Sequence, residues 1–263
     1  MITIQEYLLS KSNPKLNMIK ATDDTIYQIV KDELDRLGHD ADLNHIDTSK
    51  VTNMCNLFSC STDYLGSSYK DLNPDISRWD VSKVENMSNM FYMCEKFNQD
   101  ISQWDVSKVE NMSNMFYMCE KFNQDISQWD VSEVEDMHNM FSVCENFNQD
   151  LSGWDVSEVE NMHSMFFGCK NFNQDISQWD VSEVENMNYM FYGCEKFNQD
   201  LSQWDIIKVE DMAGMFRGCT SLSQDFSQWD ISKVEDINYM FNDCIKMPLK
   251  YFPKAWINHK FTN

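Results

Sequence analysis

Seven copies of one 25-residue phrase run through this chain without a slip, and that periodicity leaves few folds open to it. Trp recurs at 79, 104, 129, 154, 179, 204 and 229, Val at 84, 109, 134, 159, 184, 209 and 234, and Cys at 94, 119, 144, 169, 194, 219 and 244. A unit this short cannot bury its own apolar face, so it must stack on its neighbours. An array without insertions also demands coils of one circumference.

A degenerate unit comes first, with Ile46, Asp47, Val51, Met54, Leu57 and Phe58 at the framework positions. The 33 residues from Val51 to Val84 exceed the repeat by 8, and Leu72 is back in register with Phe97, so the extra residues form a surface loop near 61–71. Ahead of it, Ile26, Ile29, Val30, Leu34 and Leu37 follow helical spacing, with Thr22 or Asp23 to cap the helix and Gly38 to end it. The expected organisation is an N-terminal helical cap over 1–45, a solenoid over 46–247 and a C-terminal cap over 248–263.

Within one repeat, QDISQW (99–104) is β-compatible, Ser107 and Glu110 match an S-x-x-E capping box, and Val109, Met112, Met115, Phe116 and Cys119 form a short apolar stripe. The spacing predicts an α/β repeat: a right-handed solenoid with one short parallel strand and one short helix per coil. Stacking would file Ile, Trp, Val, Met, Phe and Cys through one continuous core. The 19 Met residues suit such a core, because a flexible thioether fills gaps between near-identical layers.

The phrases DISQWDVSKVENMSNMF and MFYMCEKFNQD closely resemble the bacterial surface-protein repeat grouped with BspA-like leucine-rich repeats, and the resemblance covers residues 46–247. It implies a leucine-rich-repeat-like solenoid with parallel strands on one face, and roles in adhesion and protein binding, often outside the cell. It carries over no catalytic motif. The N-terminus has no basic region followed by an apolar stretch, so the sequence reads as cytoplasmic; the cell surface is the alternative that the resemblance supplies. The absence of a long apolar run speaks against membrane insertion.

A net charge of −22 disfavours direct contact with nucleic acid or anionic lipid and favours a protein partner with a basic surface. Three acidic files contribute: those beginning at Asp75, Asp80 and Glu85. Stacked like charges repel by roughly 1 kcal/mol per neighbour in water, so something must offset the cost. The Glu file has its capping role and the Asp80 file can form Asx turns. For the Asp75 file three readings stand open: turn hydrogen bonds, a basic partner, or Ca²⁺ at Asp100, Asp125 and Asp150. The partner-binding residues expected on the polar strand face are Asp100, Gln103, Asp125, Gln128, Asp175 and Gln178. A second variable file, Tyr92, Tyr117, Ser142, Phe167, Tyr192, Arg217 and Asn242, is expected on the helix exterior.

The Cys file reads as buried free thiols, with disulfide or metal as alternatives, and lacks any CxxC pair. The Trp file reads as an inward ladder, with a sugar-stacking platform as the alternative. His39, His45, His138, His163 and His259 are scattered; only His138 and His163 share a repeat position, and a metal held between them is the alternative to surface variation. No converging acid, base or nucleophile is visible and no cofactor is expected. The sequence therefore reads as a monomeric, non-catalytic, adhesin-like interaction scaffold. The alternative is an acidic nucleic-acid mimic that sequesters a basic nucleic-acid-binding protein.

Overall fold

The computed structural model describes residues 18–257. The outer parts of both expected caps, residues 1–17 and 258–263 with His259, lie outside the described residues.

Helix α1, Ile26–Leu37, forms where the apolar spacing predicts it and buries Ile26, Val30 and Leu34. Thr25 is its N-cap residue, and the Gly38 N–H closes its far end on the Leu34 carbonyl at 2.8 Å. Asp23 is not the cap. Its carboxylate accepts the N–H groups of Thr52 (2.7 Å) and Asn53 (3.1 Å), tying α1 to the first coil. Strand β1, Ile19–Lys20, pairs in parallel with β2, Ile46–Asp47, and completes that end of the stack. The inserted segment near 61–71 is a loop with one 3₁₀ turn, Ser67–Tyr69.

From there the repeats stack one on another. Identical side chains meet through the interior: Phe91, Phe116, Phe141, Phe166, Phe191, Phe216 and Phe241 lie ring on ring at 5.4–5.7 Å. Every framework Met, Val and Phe from Val84 to Met187 is fully buried. Close packing of a repeated layer forces this: any sideways slip would set unlike side chains against each other and open voids.

The coils contain neither the expected helix nor the expected strand. In the segment predicted helical, the N–H groups of Met87, Asn89, Phe91 and Met93 donate across to the carbonyls of Asn111, Ser113, Met115 and Tyr117 in the next coil at 2.7–2.9 Å. The alternate N–H groups, of Met90, Tyr92 and Cys94, bond three residues back within their own coil at 3.0–3.1 Å. An α-helix needs each N–H for the carbonyl four residues back, and here neighbouring coils have taken half of them. Positive φ at Asn89 (54°) and Met93 (63°), repeated at Asn114 (54°) and Met118 (58°), breaks any helical run. The parallel bridges fall in this same segment, at Asn86, Asn111, Asp136, Asn161, Asn186, Asp211 and Asp236.

QDISQW is a turn instead. The Trp104 N–H bonds the Ile101 carbonyl at 3.1 Å, and the same contact recurs in each coil. The capping box does not form either: Ser107 Oγ donates to Asp105 Oδ1 at 2.6 Å, and the Glu110 N–H joins the inter-coil ladder through the Glu85 carbonyl. At the far end a 3₁₀ turn, Leu249–Tyr251, brings Phe252 and Trp256 onto Phe241, and the Tyr251 carbonyl accepts the Phe226 N–H.

Candidate functional site

Asp100, Gln103, Asp125, Gln128, Asp175 and Gln178 are all exposed and share one side of the stack, so the structure brings the predicted partner-binding residues together. They sit on a file of turns, not on the expected strand face. Each Asp folds its carboxylate back on its own chain. Asp100 Oδ1 accepts the Ser102 N–H at 3.0 Å, Asp125 Oδ1 that of Ser127 at 3.0 Å, and Asp175 Oδ1 that of Ser177 at 3.0 Å. This is the Asx turn, in which a short carboxylate replaces a backbone acceptor. Each Gln then lays its amide on the adjacent Ser hydroxyl, as Gln128 does on Ser127 at 3.3 Å.

The backbone N–H of the Ser two residues on holds the carboxyls of Asp100, Asp125, Asp150 and Asp175 below the usual carboxylate range. For Asp125, the neighbouring Asp150 and Asp100 push weakly the other way. The turn thus stabilises the charge that stacking penalises. Only Oδ1 of each is used; Oδ2 of Asp100, Asp125, Asp150 and Asp175 makes no hydrogen bond among the described residues. The result is a rigid row of outward carboxylate oxygens, one per coil. Asp100, Asp125 and Asp150 do not form one ligand set: among the described residues no three His, Cys, Asp or Glu side chains converge to hold a metal ion.

The structure adds a second acidic surface that the sequence pattern does not indicate. Glu85, Glu110 and Glu135, with Asn86, Asn111 and Asp136, line an open groove of about 430 Å³ that starts at Thr52 and Asn53. The sequence pattern places the Glu file at helix caps. Its 25-residue spacing beside an Asn/Asp file was the signal available, and only the absence of helices frees its carboxylates.

The remaining files resolve as follows. Trp79 to Trp229 are 3–7 % exposed and each indole N–H bonds a carbonyl of the preceding coil, so they are core and not a sugar platform. The Cys file is buried and free, and each Sγ from Cys119 to Cys244 donates to the Phe carbonyl 28 residues earlier. The variable aromatic file is half-buried on turns: Tyr92 stacks on Tyr117 at 4.7 Å and Phe167 on Tyr192 at 4.6 Å, with Ser142 breaking the row. His138 Nδ1 lies 2.8 Å from Asp136, while His163 meets Asn188; neither shares a ligand set with the other.

The sequence profile of a family described as "Mycoplasma protein of unknown function, DUF285" matches residues 30–154 and 143–252. No curated protein matches. Among solved structures, a T. pallidum leucine rich repeat protein is similar at 13% identity and a TM-score of 0.30, over 65% of this chain and 74% of that one. The functional domain of InlJ from Listeria monocytogenes, described as including a cysteine ladder, is similar at 11% identity and a TM-score of 0.17, over 73% and 53% of the two chains. No helix among the described residues is long and apolar enough to cross a membrane.

Proposed function

Because the chain belongs to the family described as Mycoplasma protein of unknown function, DUF285, we propose a function from its surface: it is a non-catalytic scaffold that binds a protein through its acidic turn face. The carrying observation is the row of Asp carboxylates at 100, 125, 150 and 175, each fixed by its own turn with one oxygen left outward. Preorganised charges cost little ordering on binding and reward a partner whose Lys or Arg residues match the coil spacing of about 5 Å. Adhesin-like use is in keeping with the resemblance to BspA-like repeats.

The test is capture of partners by the immobilised chain at low and high salt, beside a variant carrying Asp100→Lys, Asp125→Lys and Asp175→Lys. Loss of the captured protein in the variant supports the reading. Retention there, with loss in a Glu110→Lys, Glu135→Lys variant, would move the site to the groove.

One observation favours a second reading, a nucleic-acid mimic. At the position held by Lys83, Lys108, Lys208 and Lys233, the three middle coils carry Glu133, Glu158 and Glu183. At this position the middle of the stack therefore presents three consecutive carboxylates, the last of them ion-paired with Lys208, as a phosphate backbone presents regularly spaced charge. Competition of the captured partner by duplex DNA would distinguish this reading.

A further inference from the structure

The inter-coil ladder has a direction. The N–H groups of the Glu file point to the previous coil, but in the segment 87–93 and its repeats they point to the next coil and the carbonyls to the previous one, so that segment ends the stack with one kind of group at each end. At the C-terminal end, Ile237, Tyr239, Phe241 and Asp243 occupy the positions of Met212, Gly214, Phe216 and Gly218. Those four each donate forward at 2.8 Å, to Asp236, Asn238, Met240 and Asn242. The N–H groups of Ile237, Tyr239, Phe241 and Asp243 have no acceptor among the described residues. At the N-terminal end, the carbonyls of Asn53, Cys55 and Leu57 hold the register of Asn86, Ser88 and Met90, whose carbonyls receive Met54, Asn56 and Phe58. They have no donor among the described residues.

The side chains at the two ends match in the same sense. Of the six large apolar residues exposed among the described residues, five lie at the ends: Leu37 and Tyr64 at one, Tyr239, Ile245 and Leu249 at the other. The C-terminal end exposes Lys246, Lys250 and Lys254 with no acid after Asp243, while the N-terminal cap exposes Asp24, Asp32, Asp35 and Asp40. Unpaired ladder groups and apolar side chains on a stack end form a template for another chain.

We propose that the C-terminal end of one copy docks on the N-terminal end of a second copy, continuing the ladder head to tail. The register pairs the N–H groups of Ile237 and Tyr239 with the carbonyls of Asn53 and Cys55 of the second copy; Phe241 and Leu57, the next pair in register, are covered within their own chain. Asn53 is exposed and Cys55 half-buried beside α1, which leaves that edge open to approach. Such a contact is heterologous, so assembly does not stop at a dimer unless the geometry closes a ring. The inference is independent of the proposed acidic partner site, and it replaces the monomer that the repeat pattern alone suggests.

Sedimentation velocity on the full chain in low salt, from micromolar to millimolar concentration, tests it together with zero-length carboxyl–amine cross-linking of a mixture of ¹⁴N and ¹⁵N copies. The expected result is growth with concentration, reversed by salt, and mixed-isotope cross-links from Lys246, Lys250 or Lys254 to the acids of residues 24–42. A Lys246→Glu, Lys250→Glu, Lys254→Glu variant should sediment as a monomer. Adding to it an Asp24→Lys, Asp32→Lys, Asp35→Lys variant should restore association in the mixture, with both proteins melting as the parent does. A monomer at every concentration overturns the proposal. So do cross-links joining like ends, and so do single-isotope cross-links showing that a segment of the same chain covers the edge.

Discussion

The indole N–H of Trp129 reaches the carbonyl of Ile101, one coil earlier, at 3.2 Å, and that oxygen also takes the backbone N–H of Trp104 at 3.1 Å. One carbonyl thereby closes a turn within its own coil and clamps the next coil onto it. The contact repeats along the stack, so the Trp file orders the coils as well as filling the core.

Trp129→Phe removes the second bond and leaves the first. The Ile101 carbonyl stays satisfied, so the cost is one net hydrogen bond plus a small void. The expected loss is about 1–3 kcal/mol by chemical denaturation. A change below a few tenths of a kcal/mol would show that the indole N–H does not couple the coils.

Val143 holds φ 62°, where later coils place Gly168 and Gly193 at 70° and 71°. A β-branched residue crowds its own carbonyl there, at a cost of about 1–2 kcal/mol that glycine avoids. Val143→Gly should raise stability by about 1 kcal/mol, and Gly168→Val should lower it by at least as much. Opposite signs in paired thermal melts check the assignment of the left-handed position.

Burial raises the pKa of the Cys94 to Cys219 thiols, and the thiolate is the reactive form. Among the nine cysteines only Cys55 is half-exposed. Titration of the native chain with a coloured disulfide reagent should therefore find one fast thiol, and all nine after unfolding. Several fast thiols in the native state would mean that the coils open locally.

The turn carboxylates set the response to acid. Asp100, Asp125, Asp150 and Asp175 titrate lower folded than unfolded, so the unfolded chain binds more protons as pH falls. Their contribution is complete above the unfolded value of about 4 and is lost as pH drops through the folded values. The urea midpoint should hold steady from neutral pH to about 5 and fall below about 4. Exposure keeps each carboxylate's contribution small. Asp125→Asn keeps the Asx acceptor, so it should stay within about 0.5 kcal/mol of the parent at neutral pH and lose less in acid.

The candidate site was legible in part. Asp100, Gln103 and their repeats could be placed on one exposed side because the period alone puts residue n beside residue n + 25. The Glu85 groove could not, because Ser107 and Glu110 satisfy a helix-capping pattern as well in a turn as in a helix.

That contrast marks the division for the chain as a whole. Strict periodicity determined the stacking, the inward files of Trp, Phe, Met and Cys and the loop near 61–71, because close-packed identical layers admit one register; the cap helix outside the array followed from its own helical spacing. Local spacing did not determine the backbone within a coil. A stripe of Val109, Met112, Met115 and Phe116 reads as helix if each N–H looks to its own chain. In the stack, alternate N–H groups find a nearer carbonyl in the next coil, and only the assembled neighbours decide which acceptor wins.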